Sequence, residues 1–161
     1  MAATSSSGAL ARAAYVACNV YVSAGGEKGH RSILLGLLQQ AQQSCQSAGN
    51  VGVVHAFADP VYNRSSFHLV GEANELSKVA ASLARRAVQR LRSHTDSQVT
   101  SSTTEDVVHH PSVGFVDHVS IMPVEGEDAI PRASNDSTAF ARVSSTHQSL
   151  PTTSPVYSSA V

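Results

Sequence analysis

One short segment of the chain combines two imidazoles, a rigid turn and a carboxylate. His109 and His110 precede Pro111, and Asp117 follows at the entrance to an apolar run. Histidine is the side chain whose ordinary pKa allows it to take up and return a proton near neutral pH. We therefore interpret His110 as a candidate general base. The motif alone leaves open the alternative of a surface histidine before a turn-forming proline.

The composition indicates one domain of ordinary size with polar flanks. The chain has 161 residues, of which 42% are hydrophobic, and these are concentrated between residues 15 and 91, whereas residues 93–106 and 132–161 are mainly polar. Eleven basic and twelve acidic residues give a formal charge of −1, so no global field attracts nucleic acid or an anionic membrane. No apolar run approaches the roughly 18 residues of a membrane span.

The cysteines and the leader favour a cytoplasmic protein. Cys18 and Cys45 lie in apolar stretches and lack the spacing of metal ligands, so we expect buried, reduced thiols and no metal site. Residues 1–14 are rich in Ala and Ser, contain no acid and carry the single base Arg12. This composition predicts a disordered leader, with a weak organellar transit peptide as the alternative.

Hydrophobic periodicity predicts an α+β domain of the ferredoxin-like type. Four apolar or alternating runs predict strands and two amphipathic runs predict helices, in the order β-α-β-β-α-β. The short, turn-rich link at residues 59–63 predicts an antiparallel hairpin between the second and third strands. Two helices should therefore cover one face of the sheet. The predicted strands are 15–22, 51–58, 64–71 and 113–122, and the predicted helices are 28–48 and 72–92.

The second predicted helix has a basic face, whose members are Lys78, Arg85, Arg86, Arg90 and Arg92. Cations near a helix C-terminus interact favourably with the helix dipole, so a solvated face explains them. The alternative is a nucleic-acid patch, but no aromatic platform accompanies these residues. We therefore expect no nucleic-acid partner.

Several motifs, in this order, make the chain similar to the N-terminal subdomain of the formiminotransferases. The resemblance covers residues 15–125, with 93–110 as a polar insertion and 126–161 as a low-complexity, disordered tail. It rests on a Cys-containing first strand ending in Ser23-x-Gly25, on the block from Asp59 to Gly71, on His110-Pro111-x-x-Gly114-x-x-Asp117, and on Pro123-Val124.

The resemblance implies transfer of a formimino group from formiminoglutamate to tetrahydrofolate, with folate as a substrate and no metal. It assigns His110 as the general base, while His109 stands where the family has another residue. It also implies that Asp117 orients a partner group or holds a substrate nitrogen. From the residues alone, an aspartate that caps local backbone amides is the alternative.

The resemblance further implies a set of ligand contacts. Asn63 and Arg64 match the family's Asn-Arg pair, and a forked guanidinium suits the glutamate carboxylates of both substrates. Ser23, Gly25, Gly114 and Tyr21 complete the predicted binding residues. The Gly25-Gly26 turn could present free N–H groups to an anion. The alternatives are a surface arginine and an ordinary glycine turn.

The chain departs from the family pattern in two residues and in extent. Tyr21 stands at the position of a substrate-contacting asparagine, and Ser112 replaces an arginine. The family continues into a second subdomain across the folate cleft, so we expect this chain to be C-terminally incomplete, with an unpaired sheet edge that favours homo-oligomers. A catalytically silent interaction module is the alternative function. A nucleic-acid module of this topology would need exposed aromatics on the central strands.

Overall fold

The order of elements follows the periodicity of the sequence. The computed structural model describes residues 14–98 and 114–125, together with 131, 133–135, 137 and 138. The predicted base His110 and its neighbours from 99 to 113 lie outside the described residues. The elements confirm the predicted α+β class and β-α-β-β-α-β order. They are β1 (Tyr15–Val22), α1 (His30–Ala48), β2 (Val51–Asp59), β3 (Arg64–Glu72), α2 (Ala73–Gln98) and β4 (Val116–Glu125).

The four strands form one antiparallel sheet in the order β2-β3-β1-β4. The turn-rich link between β2 and β3 makes the predicted hairpin. Strand β1 lies in the middle, and its last residue, Val22, is paired with Ser65 of β3 and Val116 of β4. The last residue of β1 therefore lies beside the first residues of β3 and β4, at one end of the strands.

The core lies between the sheet and the two helices. Alternate residues of β1 are fully buried, and they pack with buried positions of both helices in one cluster. Burial of each large aliphatic side chain contributes about 1.5–3 kcal/mol, which fixes which face of β1 turns inward. Tyr21 and its cross-strand partners Ser66 and His118 therefore lie on the opposite face of the sheet.

Helix α2 extends six residues beyond its predicted end at Arg92, to Gln98. Ser93, Thr95 and Ser97 each donate a side-chain hydrogen bond to the carbonyl four residues earlier. These bonds satisfy the hydroxyls on an exposed last turn, where polarity is compatible with a helix. The start of the predicted polar insertion is therefore helical, and His94 is held on α2.

The few described residues beyond β4 are helical, and Ala133 among them is buried in the core cluster. Among the described residues, neither α1 nor α2 combines the length and the apolar character of a membrane span.

Candidate functional site

Three polar residues meet where β1 ends and β3 and β4 begin. Nε of Arg64 lies 2.6 Å from Oδ2 of Asp117. The hydroxyl of Ser23 lies 2.7 Å from Oδ1 of the same carboxylate, although 94 positions separate the two residues in the chain. We call Ser23, Arg64 and Asp117 the strand-end cluster. The sheet order brings together three residues that the sequence analysis assigned to the site.

A bulge in β4 sets the direction of Asp117. His118 is paired with Tyr21, whereas Val116 is paired with Val22, so Asp117 is the extra residue between two consecutive pairs. A bulge of this kind bends a strand and re-aims one side chain. The carboxylate is thereby directed at Arg64 rather than following the regular alternation of β4.

The pair of Arg64 and Asp117 is partly buried, with 19% and 15% of the respective side chains exposed. Salt screens such a pair less than it screens a surface pair, and charge-assisted hydrogen bonds are the stronger kind. Nη1 of Arg64 also donates to the backbone carbonyl of Asn63 at 3.1 Å. The guanidinium is therefore held in one orientation at the end of the sheet.

Ser23 joins the last predicted motif to the end of β1. Its hydroxyl contacts the carbonyl oxygen of Gly114 as well as Asp117, and its backbone N–H donates to the carbonyl of Phe115. A hydroxyl carries one proton and donates to one of its two acceptors at a time. Ser23 can therefore turn between Gly114 and Asp117, which lets the carboxylate accept a hydrogen bond from another group.

Asn63 lies next to Arg64, but its side chain points into a different group of residues. It is buried, with φ of 52°, a left-handed conformation that asparagine tolerates. Its Oδ1 accepts the N–H of Gly26 at 2.8 Å, and its Nδ2 donates to Glu27 at 3.1 Å. With His30 and His94 these residues form what we call the histidine cluster: Glu27, His30, Asn63 and His94.

The glycine turn between β1 and α1 is directed inward. Gly25 donates its N–H to Nδ1 of His30 at 3.1 Å, and Gly26 donates to Asn63. A Cβ on Gly25 would lie 2.7 Å from the carbonyl oxygen of Asp59, so the close approach of the hairpin requires glycine. These two amides therefore bond within the chain, and the turn does not present them to an anion.

Tyr21 stacks on His118, with ring centroids 4.1 Å apart and an interplanar angle of 19°. The two residues are cross-strand partners beside the strand-end cluster. Tyr21 is a predicted site residue by its position in the sequence, whereas His118 is not. The alternation of β4 was the signal available, since it places His118 and Tyr21 on one face once the register is known.

Two surface depressions of the described residues lie away from the strand-end cluster. One lies between α1 and α2 around Ser44 and Ser82, and another lies beside the α1–β2 turn around Gly49. Neither contains a predicted site residue. The strand-end cluster is therefore separate from both depressions.

The chain is similar to a known protein family. The family model described as formiminotransferase domain, N-terminal subdomain, matches residues 15–159. The match covers most of the chain and includes every residue of the strand-end cluster and of the histidine cluster. No curated protein matches the chain.

Proposed function

The chain belongs to the formiminotransferase family through its N-terminal subdomain, and from this premise we propose that it is a folate-binding transferase domain. The reaction moves a formimino group from formiminoglutamate to tetrahydrofolate. The observation that carries the proposal is the partly buried pair of Arg64 and Asp117 joined by Ser23. Family membership supplies the reaction, and this cluster supplies the groups that would hold its substrates.

The proposed reaction needs one group that accepts and returns a proton. A folate nitrogen attacks the formimino carbon, and as the new C–N bond forms this nitrogen loses its proton to His110. The tetrahedral intermediate then breaks its bond to the glutamate nitrogen, which takes the proton back from the imidazolium. An imidazole near its ordinary pKa suits both steps. Gly114 comes four positions after His110 in the chain, a span of at most about 14 Å.

The strand-end cluster would bind and orient rather than transfer protons. Arg64 would receive a glutamate carboxylate, because a guanidinium held by Asp117 offers a pre-oriented fork. Asp117 would accept a hydrogen bond from a substrate nitrogen when Ser23 turns to Gly114. Asn63 and Gly25 would contribute by holding the hairpin turn in place, and Tyr21 would flank the ligand on the open sheet face.

A second candidate function is a catalytically silent interaction module. The observation that favours it is the apolar surface on the outer strands: Phe57 on β2 is 53% exposed, and Met122 on β4 is also exposed. In the sheet formed by the described residues both strands are edges, and backbone groups of an edge strand can pair with another chain. A homo-oligomer that forms through an edge and leaves folate unbound would favour this function.

The transferase proposal is tested by a formimino-transfer assay with native chain, His110→Ala and His109→Ala. We expect transfer by the native chain, a loss of about 100-fold or more in His110→Ala, and little change in His109→Ala. The neighbouring imidazole is the matched control for loss of charge or folding. Equal turnover in all three proteins would reject the base assignment, and no transfer by any of them would favour the interaction module.

A further inference from the structure

We propose that Glu27, His30 and His94 bind a divalent transition-metal ion, with Zn²⁺ as the ion that suits their chemistry best. One possible ligand atom from each of these side chains lies within 4.8 Å of those of the other two, as the described part of the chain shows. Two imidazoles and one carboxylate are a donor set that leaves the fourth position of a tetrahedral zinc ion open. This site is separate from the strand-end cluster and needs no folate.

Two of the three ligands already have the spacing of a metal site. Nε2 of His30 lies 3.4 Å from Oε2 of Glu27, and two ligands of a tetrahedral zinc ion lie about 3.3–3.4 Å apart. The ring of His94 is centred 5.4 Å from the ring of His30 and is tilted by 55°. A rotation of the partly buried His94 side chain would bring one of its nitrogens into the third position.

Asn63 orients two of the ligands from behind. Its Nδ2 donates to Oε1 of Glu27, and its Oδ1 lies 3.1 Å from Nδ1 of His30. A histidine that binds a metal through Nε2 carries its proton on Nδ1 and donates it to an outer acceptor, which here is Asn63. In the structure Nδ1 also lies 3.1 Å from the N–H of Gly25, which donates to it when Nε2 carries the proton. The structure thus provides a partner for each tautomer of His30.

The backbone allows the close approach of the third ligand. A Cβ on Gly29 would lie 2.6 Å from Cε1 of His94, and Gly29 has φ of 92°, so the ring packs directly on a bare backbone. Because His94 lies near the end of α2 and His30 begins α1, a bound ion would tie the end of α2 to the loop after β1. The Glu27 side chain is 44% exposed, which leaves the ion open to water.

Titration calorimetry of the full, metal-stripped chain with Zn²⁺ tests the proposal. We expect one ion per chain, with binding weakened at least tenfold in His94→Ala and in Glu27→Gln. Neither of these side chains is buried, so the variants should fold, and circular dichroism checks this. His55→Ala is the matched control, because the rings of His55 and His68 also lie 5.4 Å apart without belonging to such a three-ligand group among the described residues.

A second measurement keeps the result independent of heat signals. Co²⁺ in a tetrahedral site absorbs visible light, and we expect this absorption in the native chain and in His55→Ala but not in His94→Ala. Absence of Zn²⁺ binding by the native chain would overturn the proposal. Binding that survives both His94→Ala and Glu27→Gln, or that is lost in His55→Ala, would also overturn it. Failure of folate binding leaves all of these outcomes unchanged.

Discussion

The strand-end cluster and the histidine cluster lie on either side of the same loop, between β1 and α1, and they use polar side chains in opposite ways. In the strand-end cluster two opposite charges are paired at 2.6 Å and satisfy each other. In the histidine cluster a neutral amide contacts a carboxylate and an imidazole, and these two side chains and His94 bring one possible ligand atom each within 4.8 Å of one another. The strand-end cluster therefore orients the guanidinium of Arg64, whereas the histidine cluster places possible metal-ligand atoms close together.

Adjacent residues divide between the two clusters. Asn63 has a left-handed backbone, and Arg64 begins the extended strand β3. The change of backbone direction sends the Asn63 side chain to Gly26 and Glu27 and the Arg64 side chain to Asp117. The adjacent residues Asn63 and Arg64 therefore belong to two separate clusters.

The largest expected effect comes from the loop that both clusters share. Gly25→Ala places a Cβ 2.7 Å from the Asp59 carbonyl oxygen and about 3.0 Å from backbone atoms of Arg64, none of which can move independently of the hairpin. We expect a loss of about 3 kcal/mol in the free energy of unfolding, measured by urea denaturation. Gly52→Ala is the control, since a Cβ there meets nothing within 4 Å. Equal losses in the free energy of unfolding of the two variants would contradict the importance of the close packing at Gly25.

Removal of one charge should affect the strand-end cluster alone. Asp117→Ala leaves the guanidinium of Arg64 partly buried without its carboxylate, and we expect a loss of about 2 kcal/mol in the free energy of unfolding. Glu75→Ala removes the exposed partner of Lys78 and should cost less than about 0.5 kcal/mol. Zinc binding should be unchanged in Asp117→Ala. A parallel loss of zinc binding would mean that the two clusters are one site.

The turn at Asn63 separates backbone strain from side-chain bonding. Asn63→Ala and Asn63→Gly both remove the hydrogen bonds to Gly26 and Glu27. Only the alanine is strained by the left-handed backbone at this position, where φ is 52°. We expect alanine to be less stable than glycine by about 1 kcal/mol in thermal or urea unfolding. If the two variants are equally stable, the backbone conformation of Asn63 is not what divides the clusters.

The smallest effect is expected in the core, which serves as the reference for both clusters. Burial raises the pKa of the Cys45 thiol. The thiol loses its proton at a lower pH in the unfolded chain than in the folded one. Its contribution to the free energy of unfolding is therefore fully present below the ordinary thiol pKa and is lost as the pH rises above about 9. Between pH 8 and 10 the free energy of unfolding should fall more in the native chain than in Cys45→Ala. We expect the difference between the two falls to be small, below about 1 kcal/mol. Identical pH profiles of the urea midpoint would contradict this.

Much of the fold could be predicted because its information is local. The alternation in β1 and the helical repeat in α2 each specify an element and its buried face. The end of α2 was predicted six residues too early, because Ser93, Thr95 and Ser97 satisfy their hydroxyls inside the helix, which a polar composition does not reveal.

The candidate site was predicted only where motifs follow the strands. Ser23, Arg64 and Asp117 were named from the sequence, and the structure brings them together. Sequence reasoning missed the histidine cluster, since nothing in the chain order places His94 beside the loop at Glu27. The Glu27-x-x-His30 spacing was the available local signal. The third residue, His94, lies on the part of α2 that extends beyond the predicted helix end.

Binding of a reduced folate to the native chain tests the central claim most directly. Calorimetric titration with tetrahydrofolate, alongside thermal unfolding with and without it, measures the affinity and the rise in melting temperature that a ligand of the folded state must cause. We predict binding by the native chain, and binding at least tenfold weaker in Arg64→Gln. The absence of both heat and a melting shift at millimolar tetrahydrofolate would contradict the account.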